Sequence, residues 1–219
     1  ISKTIDGEVL FKDLRFALSK GEKIAITGND LATTTLIQIL AGEVAPDAGE
    51  VRWGRTANLG YFPKDNAGFF DTDLNLIEWL RRLSTNQEES FVRAFLGRML
   101  FSGEGSKKSA RVLSGGEKVR CMVSRMMLQD PNVLLLDGPT NHLDLESINA
   151  LNISLQKYDG TVLLVTHDYD VIDEVATRIW HFDGGHIDDF KGPYAEYLTY
   201  AQQKASPDRK QAASLSGKS

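Results

Sequence analysis
The chain has 219 residues, 42% of them hydrophobic, and its 25 Lys and Arg against 30 Asp and Glu give a formal net charge of -5. That length suits one large domain, or a core with a smaller inserted subdomain. The negative balance excludes indiscriminate binding to nucleic acid, which needs a basic field.

No apolar run approaches the roughly 20 residues of a membrane helix, and the N-terminus lacks the basic-then-apolar signature of a secretory signal, so a cytoplasmic protein with no membrane partner is expected. Beginning at Ile1, the sequence is expected to be part of a longer chain. Strand-like runs fall at 22–27 (EKIAIT), 58–62 (NLGYF), 133–137 (VLLLD), 161–166 (TVLLVT) and 178–182 (RIWHF). Helical periodicity fills most gaps between the later ones, which predicts an α/β domain with a largely parallel sheet. The first run leads into "GNDLATTTL", a glycine, a short polar loop and a helix: the context of a phosphate-gripping loop, but without its lysine. Between about 72 and 111 the pattern changes, because "LNLIEWLRRL" and "ESFVRAFLGRML" carry apolar residues at helical spacing with no strand between them. An inserted helical subdomain is expected there, leaving 1–71 and 112–200 as the core. Arg81, Arg82, Lys107, Lys108 and Arg111 cluster in this stretch and are read as solvated helix faces rather than a nucleic-acid patch. The single cysteine, Cys121, cannot form an internal disulfide and lies among Val119, Met122 and Val123, as a buried structural thiol would. Residues 201–219 hold almost no large apolar side chains and are expected to be a disordered tail or linker.

The chemistry concentrates in three stretches. "LSGGEK" at 113–118 precedes a predicted helix, with Ser114 and Glu117 spaced as a capping box and Gly115 and Gly116 exposing backbone N–H groups at a positive helix end. That set suits a terminal phosphate, although an ordinary helix cap would explain Ser-Gly-Gly alone. "NVLLLDGPTNHLD" at 132–144 and "TVLLVTHD" at 161–168 follow, each a strand ending in a polar residue at the sheet's carboxyl edge, where open α/β sheets bind ligands.

In this order and spacing, over about 3–198, the chain resembles the ATP-binding cassette (ABC) family. The resemblance implies a P-loop NTPase-like cassette with a mainly parallel core sheet, an antiparallel β region and the inserted helical subdomain. It implies ATP and Mg²⁺ as cofactors, with Gly28, Asn29, Thr33, Thr34 and Thr35 in the nucleotide loop and Lys64 at the Q-loop position. Thr34 and Asp137 then stand at the magnesium, His167 is the switch histidine, LSGGE is the signature, and Asn141 to Asp144 (NHLD) form the D-loop. "PTNHLD", "LFKDL" and "GPYAEYL" are similar to the ABC-F subfamily, whose members are soluble, carry two cassettes in one chain and mostly act on ribosomes. With no long arm-like insertion in 72–111, the chain looks like the second cassette, its partners being another cassette and the ribosome or its rRNA. The ATPase subunit of a membrane transporter and a non-catalytic scaffold are the competing readings.

The sequence departs from the family pattern at ligand-facing positions. Against G-x-x-x-x-G-K-S/T the loop is one residue short, Asp30 and Ala32 stand where glycines belong, and Thr33 stands for the lysine. A carboxylate facing a triphosphate repels it, by about 1 kcal/mol at 4 Å in water and about 4 at an effective dielectric of 20. Gly138 replaces the glutamate that would polarise water, Lys64 replaces the Q-loop glutamine, and Ile5 replaces the adenine-stacking aromatic. In cassette pairs the nucleotide lies between the loop of one cassette and the signature of the other. An asymmetric pair is therefore expected, in which this cassette's own site hydrolyses ATP poorly or not at all while its signature serves the partner.

Overall fold
The computed structural model describes residues 1–84, 86–99, 101 and 103–205. Five parallel strands form the centre of a six-stranded sheet: β3 (Lys23–Gly28), β4 (Leu59–Phe62), β5 (Val133–Asp137), β6 (Thr161–Val165) and β7 (Arg178–Asp183). The order is β4-β5-β6-β3-β7, with a sixth strand, β8 (His186–Lys191), antiparallel at the β7 edge. A separate antiparallel hairpin is made by β1 (Lys3–Ile5) and β2 (Glu8–Phe11). Its two-residue turn puts Asp6 and Gly7 at positive φ, the geometry that matches strand twist.

The central strands are apolar throughout because both faces are covered. On β5, Val133 and Leu135 pack toward α1 (Asp30–Ala41), with Leu36, Ile37 and Leu40, while Leu134 and Leu136 join a cluster on the other face. That second cluster holds Val119, Met122, Val123 and Met126 of α4 (Gly115–Met127) and Leu151 and Leu155 of α5 (Leu145–Lys157). It also takes Leu76 and Leu80 of α2 (Leu76–Arg81) and Val92 and Leu96 of α3 (Glu89–Arg98), so the helical stretch shares its core with the sheet. Two short helical segments follow in the same stretch, at Gly105–Lys107 and Ala110–Val112. Cys121 is fully buried in this cluster, and burial pushes its thiol well above the ordinary range.

After β6 come α6 (Tyr169–Val175) and, last, α7 (Tyr194–Ala205). The segment expected to become a tail at residue 201 is thus still helical to 205, held where Ala201 packs against Tyr194 and Tyr197. The rest of that expected tail, 206–219, lies outside the described residues. Among the described residues, no helix is long and apolar enough to cross a membrane.

Candidate functional site
Because β5, β6 and β3 lie side by side and parallel, their carboxyl ends bring the loop after Gly28, the Asp137–Gly138 step and His167 together at one edge. Lys64 joins them from the end of β4, the next strand over. Gly28 has φ +106°, and a Cβ there would collide with the backbone carbonyl of Phe182 on β7, so the close approach of strand and loop demands glycine.

Helix α1 begins at Asp30, two residues after Gly28. Its cap is Asn29, whose side-chain oxygen accepts from the Ala32 N–H at 3.0 Å while its carbonyl accepts from the Thr33 N–H at 2.9 Å. Thr33, at the lysine position, is fully buried and donates its hydroxyl to the Asp30 carbonyl at 3.1 Å. Thr35 is buried as well, and the Thr34 hydroxyl is buried with no hydrogen-bond partner. Asp137, at the end of β5, is 1% exposed and both its carboxylate oxygens are likewise unpartnered. Burial raises the Asp137 carboxyl above its ordinary range; the neighbouring Thr34 hydroxyl and Lys64 ammonium oppose this, and Asp30 adds to it.

The Asp30 carboxylate is exposed to solvent and meets two other side chains there. His167 donates from Nε2 to Asp30 Oδ1 at 2.9 Å, and the Lys64 ammonium lies 3.8 Å from Oδ2. His167 and Lys64 are thus both turned onto one carboxylate. Sequence reasoning placed all three residues but missed their contact; the available signal was the paired appearance of a new anion at 30 and a new cation at 64. Ile5, at the adenine-stacking position, packs instead against the apolar cluster of α1. Gly138 has φ +64°, and a Cβ there would lie 2.5 Å from Asn141 Nδ2.

The signature residues build a second group. Ser114 caps α4: its hydroxyl accepts from the Glu117 N–H at 3.2 Å, and Glu117 Oε2 accepts from the Ser114 N–H at 2.8 Å. Burial raises the Glu117 carboxyl, but the Lys108 ammonium at 2.8 Å and the bonds to Ser114 outweigh it, leaving the group below its ordinary value. A Cβ on Gly115 would come within 3.0 Å of His142 Cβ, and one on Gly116 within 3.3 Å of the His142 carbonyl. The two glycines therefore also let α4 abut the D-loop. Asn141 closes the turn after β5 by donating its N–H to the Gly138 carbonyl at 3.1 Å. Asp144 caps α5 through Ser147, whose hydrogen bonds hold the Asp144 carboxyl below its usual range. In the helical stretch, Lys107 pairs with Glu104, Lys108 with Glu117, and Arg111 with Asp71 and Asp73, as solvated ion-paired faces would.

The buried, unpaired oxygens of Thr34 and Asp137 are a hard donor set that fits a divalent cation such as Mg²⁺. Among the described residues no group of three or more His, Cys, Asp and Glu has metal-holding geometry, so further ligands would come from water or a bound phosphate. In the loop, position 33 carries no cation, Asn29 takes the Ala32 N–H, and the Asp30 carboxylate meets His167 and Lys64. A cavity of about 790 Å³ that opens elsewhere, lined by Leu14, Phe16, Trp53, Val133 and Thr161, shares no residue with this cluster.

A parallel sheet flanked by helices, with a glycine-ended strand, a buried aspartate strand and a capped Ser-Gly-Gly helix, defines an ATP-binding cassette of the P-loop NTPase class. The family model described as ABC transporter matches residues 11–141, and the chain belongs to that family. It is 50% identical over 204 residues to the ABC transporter ATP-binding protein YkpA of Bacillus subtilis (strain 168), covering 92% of this chain. The chain spans 38% of that relative's length. Its fold is similar to the dimeric, post-hydrolysis structure of the ATP-binding cassette MJ0796 bound to ADP and Pi, with TM-score 0.69 and 19% identity over 87% of this chain and 94% of that one. The archaeal ribosome recycling factor aABCE1, solved with the ribosomal stalk protein aP1, matches with TM-score 0.68 and 25% identity over 84% of this chain and 37% of that one. Cassettes of this family bind nucleotide and work in pairs.

Proposed function
We propose that this chain is one cassette of an asymmetric pair in a soluble, cytoplasmic ABC-F-like protein acting on the ribosome. Its own nucleotide site is degenerate and its signature completes the partner cassette's site. The observation that carries this reading is the contrast between the two groups of residues. The loop is closed on itself through Asn29 and Asp30, whereas Ser114, Gly115 and Gly116 keep the hydroxyl and the positive end of α4 at the surface of a well-formed cap. In this reading the stretch 72–111 is the helical lobe, and 1–71 with 112–200 is the core.

ATP and Mg²⁺, bound by the partner, supply the energy of the cycle; this chain's residues position and exclude. Ser114 and the N–H groups of Gly115 and Gly116 would hold the terminal phosphate of a nucleotide bound by the partner. Asn141 and Asp144, beside them, carry the D-loop contact. On this chain's own side Gly138 has no side chain with which to orient water, and Asp137 and Thr34 keep only the donors for a cation. The ribosome reading rests on the ABC-F-like wording and on the neighbouring recycling factor, whose solved complex contains a ribosomal stalk protein. Lys64 in place of the Q-loop glutamine weighs against the transporter reading.

Turnover of the full-length protein carrying this cassette tests the reading. Ser114→Arg should abolish it, by placing a bulky side chain where the partner's phosphate sits, while Asp137→Ala should leave it near the parent rate per folded molecule. Loss with Asp137→Ala and normal turnover with Ser114→Arg would overturn the assignment.

A further inference from the structure
Helix capping does not account for the position of the Asp30 side chain, since Asn29 provides the cap. The carboxylate instead bridges two other strand exits, with His167 Nε2 on one oxygen at 2.9 Å and Lys64 Nζ 3.8 Å from the other. One oxygen thus accepts a hydrogen bond from His167 and the other faces the Lys64 ammonium as an ion pair beyond hydrogen-bond distance, two groups that a phosphoryl oxygen would also meet. Beside it lie the buried, unpartnered oxygens of Asp137 and the Thr34 hydroxyl, with Lys64 and Asp30 both close enough to act on the Asp137 carboxyl. Asp30, His167 and Lys64 thus meet one another, while the Thr34 and Asp137 oxygens beside them stay unpartnered.

We infer that Lys64 and His167 form a receptor for a phosphoryl oxygen, and that Asp30 fills this receptor from within and excludes anionic ligands. The inference rests on the reading of this site as degenerate and deepens it: exclusion is an added device, in which the substitutions at 30 and 64 act as a matched pair. Asp30 is thereby the residue that decides whether the edge accepts a polyphosphate.

The test is calorimetric titration of this chain with inorganic tripolyphosphate. The parent, Asp30→Ala, Asp30→Asn and the double variants Asp30→Ala with Lys64→Ala and Asp30→Ala with His167→Ala are compared, each checked for native circular dichroism. Asp30→Asn keeps the side chain's shape, so it reads the charge even if the alanine variant disturbs the start of α1. Removing the charge should tighten binding at least tenfold, equivalent to about 1.4 kcal/mol. Lys64→Ala should cancel most of that gain, and His167→Ala part of it. No gain in either single variant, or a gain that survives undiminished in both double variants, would overturn the inference and leave the degenerate-site reading intact. Tight binding of tripolyphosphate by the parent would overturn both.

Discussion

Replacing Gly138 with glutamate restores the family's water-polarising residue on paper, and the structure predicts that it restores nothing. Gly138 sits at φ +64°, where a residue with a side chain costs about 1–2 kcal/mol. Its Cβ would also meet Asn141 Nδ2 at 2.5 Å, although the Asn141 amide is exposed and can turn away, so the steric addition is the smaller part. The sum is about 1–3 kcal/mol of lost stability, or about 2–12 °C in Tm for a domain of this size. Differential scanning calorimetry of Gly138→Glu, paired with an ATP turnover assay on the same chain, reads both quantities. A Tm within about 1 °C of the parent would show that the backbone accepts the side chain. Hydrolysis appearing in the variant would show that the glutamate alone was missing, and would refute the reading that the loop at 28–35 no longer serves a triphosphate.

Asp137→Asn should stabilise the chain near neutral pH, by about 0.5–2 kcal/mol as is common when a functional group held in a costly environment is removed. The Asp137 carboxyl is raised by burial, so its stabilising contribution is full below the ordinary carboxylate range and lost as pH rises through the folded value. Denaturant titrations at about pH 3 and about pH 7, below and well above the ordinary carboxylate value, should therefore show the gain only at the higher pH; an equal gain at both would count against it. Glu117→Ala should cost about 1 kcal/mol at neutral pH through loss of the capping box and the Lys108 pair. Here the folded carboxyl lies below its ordinary value, so the cost should fade as pH drops through that range, and a pH-independent cost would mean that the charge contributes nothing.

Residues whose periodicity is imposed by burial were legible in the sequence. The inner strands β5 and β6 are buried along their whole length and nearly all apolar because helices cover both faces, and Ser114 with Glu117 announces its cap by spacing alone. The strands without a clear sequence signal, β1, β2 and β8, are short or lie at an edge: β1 and β8 are largely polar, and the apolar run of β2 is only three residues, Val9 to Phe11. The end of α7 was hidden for a related reason, since Tyr194 and Tyr197 anchor it from the preceding turns and residues 201–205 add few large apolar groups themselves. In the site, each departure was visible at its own position. What no single position announces is that Asp30, His167 and Lys64 meet, because that contact joins three strand exits brought together only by the sheet order.

The central claim is that this cassette's own edge no longer takes nucleotide. Isothermal titration of the chain with ATP in the presence of Mg²⁺ tests it most directly. The account predicts no saturable binding up to about 1 mM, a bound equivalent to an affinity no stronger than about -4.1 kcal/mol. A single-site isotherm in the micromolar range, abolished by Thr34→Ala, would contradict it.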